Sequence, residues 1–279
     1  MTSIQKLLKE VETFYAKEGR SHLPWRNLGS LPEGKRAYNI LVSEVMLQQT
    51  QVERVLPFYK NFLKEFPTPE ALAKAPLSKV LKVWQGLGYN RRGRFLQLSA
   101  QAIVKQYEGW FPKTVSALEE LPGIGPYTAG AIAAFAYNQP AIFIETNIRT
   151  VFLYYCGKFN FRQERVSDAE ILPLVEEALK KSKLEPREFY AALMDYGSYL
   201  KKQGIKLNKQ SKHYVKQTRF EGSARQLRGA ILRELLKKSQ TLQQLTKNLR
   251  RSTEEVSREL ERLQKERLVV KNGGNWQVT

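Results

Sequence analysis

From the N-terminus to about residue 200, apolar side chains recur at helical spacing, and the strict alternation of a half-buried strand is scarce. This periodicity is the strongest constraint on the fold, because a helical pattern cannot present one apolar face as a strand. Leu7, Leu8, Val11 and Phe14 mark one face of a first helix. After a Pro- and Gly-containing stretch from Leu23 to Gly34, the spacing predicts helices over about 38–49, 52–66, 77–85 and 91–107, with Pro67-Thr-Pro69 breaking the chain before a short helix. Leu118-Glu-Glu-Leu121-Pro122-Gly123-Ile124-Gly125-Pro126 then reads as a helix end, a tight turn and a helix start, since glycines permit the turn and proline suits a first helical turn. The helix that follows, 127–137, is dense in alanine and glycine, which allows close approach to another helix or to a ligand backbone. Helices near 147–155, 167–181 and 185–201 complete an all-α domain over residues 1–200.

The pattern changes beyond it. Residues 201–222 are polar and basic and read as a linker or loosely packed arm. Residues 223–279 then predict helices over 224–238, 241–249 and from Ser252, where Glu255 three residues on makes a capping box. Leu268–Lys271 and Asn275–Val278 flank Asn272-Gly-Gly274 as a β-hairpin. Three helices and a hairpin predict a small C-terminal winged helix-turn-helix.

The net charge of +19 favours a polyanionic partner, because neutralising phosphates releases counterions. Residues 201–279 hold 20 basic and 7 acidic side chains, so the excess is concentrated there, and Arg250, Arg251 and Arg258 are the candidate DNA contacts of the winged helix. A winged helix that binds protein is the alternative. One cysteine, Cys156, supports neither an intrachain disulfide nor a four-cysteine metal or iron–sulfur site. The amphipathic, acid-containing N-terminus lacks a signal-peptide core, and no apolar run is long enough for a membrane span. A cytoplasmic, nucleoid-associated location is expected.

The Leu121-Pro-Gly-Ile-Gly125 turn admits two readings: a plain helical hairpin, or a helix-hairpin-helix whose backbone N–H groups and helix dipole hold a phosphate. Backbone carbonyls of the same loop, at Glu119, Leu121 and Ile124, are candidate ligands for a sodium or potassium ion. The turn does not stand alone. Pro24-Trp25-Arg26, Ser43-Glu44-Val45-Met46-Leu47-Gln48-Gln49-Thr50, Gly86-Leu87-Gly88-Tyr89 and Glu145-Thr146-Asn147-Ile148-Arg149 flank it in order. Together these resemble the MutY branch of the helix-hairpin-helix DNA glycosylase superfamily, which also contains endonuclease III, over roughly residues 5–200; the resemblance implies an all-α, two-lobed fold.

The resemblance implies roles. It makes Glu44 the general acid that protonates a departing base, as an N-glycosidic bond breaks through an oxocarbenium-like sugar cation. The neighbouring Val45, Met46 and Leu47 suggest a carboxyl that keeps its proton near neutral pH. Glu145 stands where the family has the Asp that stabilises the cation, with Asn147 beside it; a helix N-terminal acid is the competing reading of Glu145. Tyr127 replaces the Schiff-base lysine of bifunctional relatives, which implies a monofunctional enzyme. Gln48, Gln49 and Tyr89 match residues that enter the DNA stack when a base is flipped out. Arg26, Arg91, Gly123 and Gly125 are further DNA-binding candidates; Arg91, Arg92 and Arg94 are read as phosphate contacts, with a solvated helix face as the alternative. The cysteines of a family iron–sulfur cluster are missing after Met194-Asp195-Tyr196-Gly197, and the winged helix stands in place of the family's Nudix-like domain. The expected protein is a base-excision-repair glycosylase without a cluster, acting as a monomer on double-stranded DNA that carries a mismatch or lesion, with no membrane. Adenine opposite guanine or 8-oxoguanine is the implied substrate; a thymine/uracil mismatch glycosylase and a non-catalytic lesion sensor are the alternatives.

Overall fold

The structure is a computed structural model that describes residues 2–155, 165–216 and 219–279. Its chain divides into two compact units: Met1–Ile40, Pro112–Glu120 and Ile124–Lys216 form the first, and Leu41–Phe111, Leu121–Gly123 and Gln217–Thr279 the second. Among the described residues no helix is long and apolar enough to cross a membrane.

In the first unit, α1 (Ser3–Glu18) starts at a capping box in which Thr2 and Gln5 satisfy each other's backbone N–H groups. Its buried face, Ile4, Leu7, Leu8 and Val11, is the stripe the spacing predicts. The helix α2 (Glu33–Leu47) begins in this unit, five residues earlier than the spacing indicates. A short α7 (Val115–Glu119) leads through the predicted turn into α8 (Pro126–Tyr137), with Pro126 in its first turn and Asn138 closing it in the left-handed conformation. Every residue of α8 from Thr128 to Ala136 is buried, which explains its alanines. A Cβ on Gly130 would come within 2.9 Å of Phe143. The unit continues with α9 (Thr146–Tyr154), α10 (Asp168–Lys181, capped by Ser167 and Glu170) and α11 (Pro186–Lys202). A Cβ on Gly197 would lie 2.3 Å from the Asn147 carbonyl oxygen, so α11 crosses α9 in direct backbone contact. Residues 201–216, basic and linker-like in sequence, are tied into this unit. Lys201 and Lys202 finish α11, the Thr150 hydroxyl lies 3.3 Å from Asn208 Oδ1, and Val166 bridges to Ser211.

In the second unit, α2 ends and α3 (Val52–Glu65), α4 (Pro69–Lys74), α5 (Leu77–Trp84) and α6 (Arg91–Gln106) follow. Gln97 Nε2 donates to the Ala75 carbonyl at 2.6 Å, capping the exit from α4. The C-terminal segment adds α12 (Ala224–Leu235), α13 (Leu242–Leu249) and α14 (Thr253–Lys265), with the capping box Ser252–Glu255 present as predicted. Strands β2 (Val269–Asn272) and β3 (Asn275–Val278) form the predicted hairpin, with Gly273 and Gly274 both at positive φ, as a type I′ turn requires. Sequence spacing misses β1 (Gln240–Thr241), which pairs antiparallel with β3 to give the order β1-β3-β2; two residues are too few to show alternation. Ile231, Leu235, Leu245, Leu260, Leu263 and Trp276 form a continuous core, and Leu81 of α5 belongs to it.

Candidate active site

The second unit carries the acid expected of a glycosylase. Glu44 sits in the last turn of α2 and is only 4% exposed, flanked by buried Ser43, Val45 and Met46. The last four carbonyls of a helix have no intrahelical donor. Arg92 supplies donors here. Its Nη1 donates to the Val45 and Met46 carbonyls at 2.9 Å each and also to Gln48, and its Nη2 donates to Thr50 Oγ1 at 3.1 Å and the Gly88 carbonyl at 3.2 Å. Burial pushes its guanidinium down to about 10. Arg92 is therefore not a surface phosphate contact, as sequence suggested. It is a buried clamp joining the end of α2 to the Gly86–Tyr89 loop. Its acceptors lie more than forty residues back in sequence, apart from Gly88, so no local signal announces it. Arg94 is likewise engaged, donating to the Arg267 carbonyl.

Two residues read as DNA wedges share an uncommon backbone state. Gln49 has φ 54° and Tyr89 φ 48°, in the left-handed region that costs non-glycine residues about 1 kcal/mol. Tyr89 follows Gly86 at φ 103° and Gly88 at φ 85°, so three of four residues in this loop are left-handed. Such strain concentrates where side chains must be aimed rather than packed. The Tyr89 ring has the Arg92 guanidinium 5.3 Å and the Arg225 guanidinium 5.7 Å from its centre, and its hydroxyl accepts from Arg225 at 2.7 Å. Gln48 is half-buried; Gln49 and Arg91 are exposed, and the Arg91 guanidinium lies 4.8 Å from the Phe95 ring centre.

The first unit holds the other group. Glu145 is the N-cap of α9: Oε1 accepts from the N–H groups of Asn147 at 2.6 Å and Ile148 at 2.9 Å, and Oε2 from Asn147 Nδ2 at 3.2 Å. Lys201 Nζ donates to Asn147 Oδ1 at 2.7 Å, giving an unbroken Lys201–Asn147–Glu145 chain. Burial raises the Glu145 carboxyl above its ordinary value, opposed by the Ile148 and Asn147 N–H groups and by the charges of Lys201 and Arg149. Burial lowers the Lys201 ammonium, opposed by Glu145. Sequence reasoning left Lys201 in a basic arm. The one signal for it was its place four residues after Gly197, on the same face of α11 that meets Asn147. The Tyr127 ring packs edge-on against Phe143 at 5.9 Å. Arg26 is drawn inward: it pairs with buried Asp195 at 3.3 Å, alongside Arg20 at 2.7 Å, and lies 5.4 Å from the Phe135 ring centre.

At the hairpin, Gly123 has φ 80°, and a Cβ there would lie 2.6 Å from Phe95 Cβ. Gly125 is the N-cap of α8 and has open space around it, so a phosphate can approach the helix N-terminus. Ser99 Oγ donates to the Pro122 carbonyl at 2.7 Å. A loop of neutral carbonyls is a donor set suited to a monovalent cation. Among the described residues no group of three or more His, Cys, Asp or Glu side chains could hold a metal. Cys156 lies outside the described residues. In the C-terminal segment, Arg250 closes α13 at φ 51°, Arg251 follows it, and Arg258 lies on α14. Arg250, Arg251 and Arg258 are all exposed.

Residues 42–172, which hold the α2 acid, the hairpin and the Glu145 cap, match the HhH-GPD superfamily of base excision DNA repair proteins. The match covers just under half of the chain and marks that stretch as similar to the helix-hairpin-helix glycosylases. Solved structures share the fold. A thermostable thymine-DNA glycosylase is 24% identical with a TM-score of 0.60, over 76% of this chain and 96% of that one. A trapped endonuclease III–DNA covalent intermediate is 22% identical with a TM-score of 0.55, over 71% and 87%. In sequence the same stretch is similar to adenine DNA glycosylases. The adenine DNA glycosylase of Mus musculus is 44% identical over 50% of this chain and 27% of its own length. That of Mycolicibacterium smegmatis is 44% identical over 47% and 43%. That of Arabidopsis thaliana is 33% identical over 71% and 35%. The chain thus spans from about a quarter to under half of the length of such curated relatives.

Proposed function

We propose that the protein is a monofunctional DNA glycosylase that hydrolyses the N-glycosidic bond of adenine mispaired with guanine or 8-oxoguanine. The observation that carries this reading is Glu44: a buried carboxyl at a clamped helix end, in a domain similar in sequence to adenine DNA glycosylases. Glu44 donates its proton to the base as the C1′–N bond breaks, and the bonding pair leaves with the base. Glu145, when ionised, offsets the charge of the sugar cation; two backbone N–H groups and Lys201, through Asn147, favour that form against the effect of burial. Water then adds at C1′ and returns a proton to Glu44. Tyr127 offers no amine for an imine, so the product is an intact abasic strand.

Gln49 and Tyr89 fill the gap left by the extruded base. The hairpin at Gly123–Gly125 holds a phosphate, assisted by a sodium or potassium ion on the carbonyls of Glu119, Leu121 and Ile124. The C-terminal helices and sheet act as a winged helix that adds phosphate contacts through Arg250, Arg251 and Arg258. The protein carries no iron–sulfur cluster. Ala191, buried on α11, stands where adenine enzymes often place a Glu or Gln that reads the base edge, and this predicts relaxed selectivity.

The test is single-turnover base release, scored by alkali cleavage, on duplexes holding A:8-oxoG, A:G, T:G and U:G. Adenine release from both adenine duplexes, abolished in Glu44→Gln with DNA binding intact, is expected. Unchanged release in that variant would remove Glu44 from the mechanism. One observation favours the lesion-sensor reading: both Glu145 oxygens are already engaged, Oε1 as the cap of α9 and Oε2 with the Asn147 side-chain amide. Duplex binding without release from any of the four substrates would establish it.

A further inference from the structure

The second unit contains a groove of about 950 Å³ that starts at the wedge residues Gln49 and Tyr89 and continues along the C-terminal segment. One wall is the Gln49–Arg54 turn and the Gly86–Asn90 loop; the other is the C-terminal segment around α12. Four arginines line it, Arg54, Arg225, Arg233 and Arg251, against one acid, Glu221. Arg54 donates to the Gly86 carbonyl and Arg225 to the Tyr89 hydroxyl, so two of the four also fix the loop that carries the wedge tyrosine.

A second, independent feature lies in the same groove. Gly229 is in the middle of α12, where glycine costs about 1 kcal/mol relative to alanine. A Cβ added there meets nothing within 4 Å, and the helix is not at positive φ, so neither packing nor backbone conformation calls for a glycine. Gly88, on the facing loop, is equally open. A basic groove with a bare helix backbone on one side suits a chain of phosphates that comes close to that backbone.

We infer that this groove takes the phosphodiester backbone of a DNA strand, running past Tyr89 with its phosphates on Arg225, Arg233 and Arg251. The C-terminal segment then extends the binding surface of the wedge loop and holds Tyr89 in register through Arg225. This rests on the DNA-glycosylase reading.

The test uses the full chain and a 20-base-pair duplex containing an A:G mismatch, with affinity measured from 50 to 200 mM salt. Arg233→Gln/Arg251→Gln should lower the slope of log affinity against log salt by about 1.8, since each phosphate that an arginine neutralises contributes about 0.9. Gly229→Ala and Gly229→Glu separate binding from folding. Both replace a helix glycine that has free space, so both should keep or raise the melting temperature. Yet Gly229→Glu should weaken binding at least tenfold, by filling the groove with a like charge. An unchanged slope in the double variant, together with wild-type affinity in Gly229→Glu, would overturn the groove alone. A wild-type protein that binds no duplex would overturn the glycosylase reading and the groove with it. A Gly229→Glu protein that melts below wild type would show that the glycine is a packing requirement, which also counts against the proposal.

Discussion

Replacing Arg92 by methionine separates two roles that a sequence cannot tell apart. If Arg92 contacts a phosphate, its loss should flatten the salt dependence of DNA binding by about 0.9 and leave folding stability near wild type. The structure demands the opposite. Methionine keeps much of the side-chain volume but removes five hydrogen bonds. Gln48, Thr50 and Gly88 are only half-buried, so their acceptors can regain water. The Val45 and Met46 carbonyls cannot, and leaving a buried acceptor unpaired costs about 1–3 kcal/mol each. Removing the guanidinium also relieves its own burial, including an Nε–H that has no acceptor. The net loss should be about 3 kcal/mol, or about 6–12 °C in melting temperature for a chain near this size. Thermal unfolding by circular dichroism and duplex titration at several salt concentrations read the two effects separately. A flattened salt slope with an unchanged melting temperature would refute the clamp and restore the phosphate contact. A lower melting temperature with wild-type slope confirms it; the freed Tyr89 loop should then weaken affinity equally at every salt concentration.

Two further outcomes follow from the first unit and from composition. Because burial raises the Glu145 carboxyl, the unfolded chain releases this proton near pH 4.5 while the folded chain still holds it, so Glu145 lowers stability as pH rises through that window. Lys201 opposes the shift, so Lys201→Met should widen the window and move the acid limb of the single-turnover pH profile upward; an unmoved limb would separate Lys201 from Glu145. Purified protein should be colourless, because one cysteine cannot ligate a four-cysteine cluster; stoichiometric iron with visible absorbance would contradict this.

The sequence by itself determined the local structure of this protein. Helical periodicity placed nearly every helix, Ser252 and Glu255 announced their capping box, and Gly273-Gly274 fixed a hairpin, because each depends on residues a few positions apart. The candidate acid and the candidate wedge residues came from short contiguous motifs, which a sequence displays without its fold. Only the tertiary structure decided what depends on distant partners. Arg92 and Arg91 are adjacent members of one helix turn, yet one is a buried clamp and the other is exposed, because the α2 carbonyls arrive from more than forty residues away. Lys201 left the basic arm for Asn147 because Gly197 lets α11 touch α9. Arg225 reached Tyr89 across 136 positions of chain. A charged side chain in water and one that closes a buried network can look identical in sequence. The difference is which acceptors the fold brings to it, and burial then makes those acceptors costly to leave unpaired.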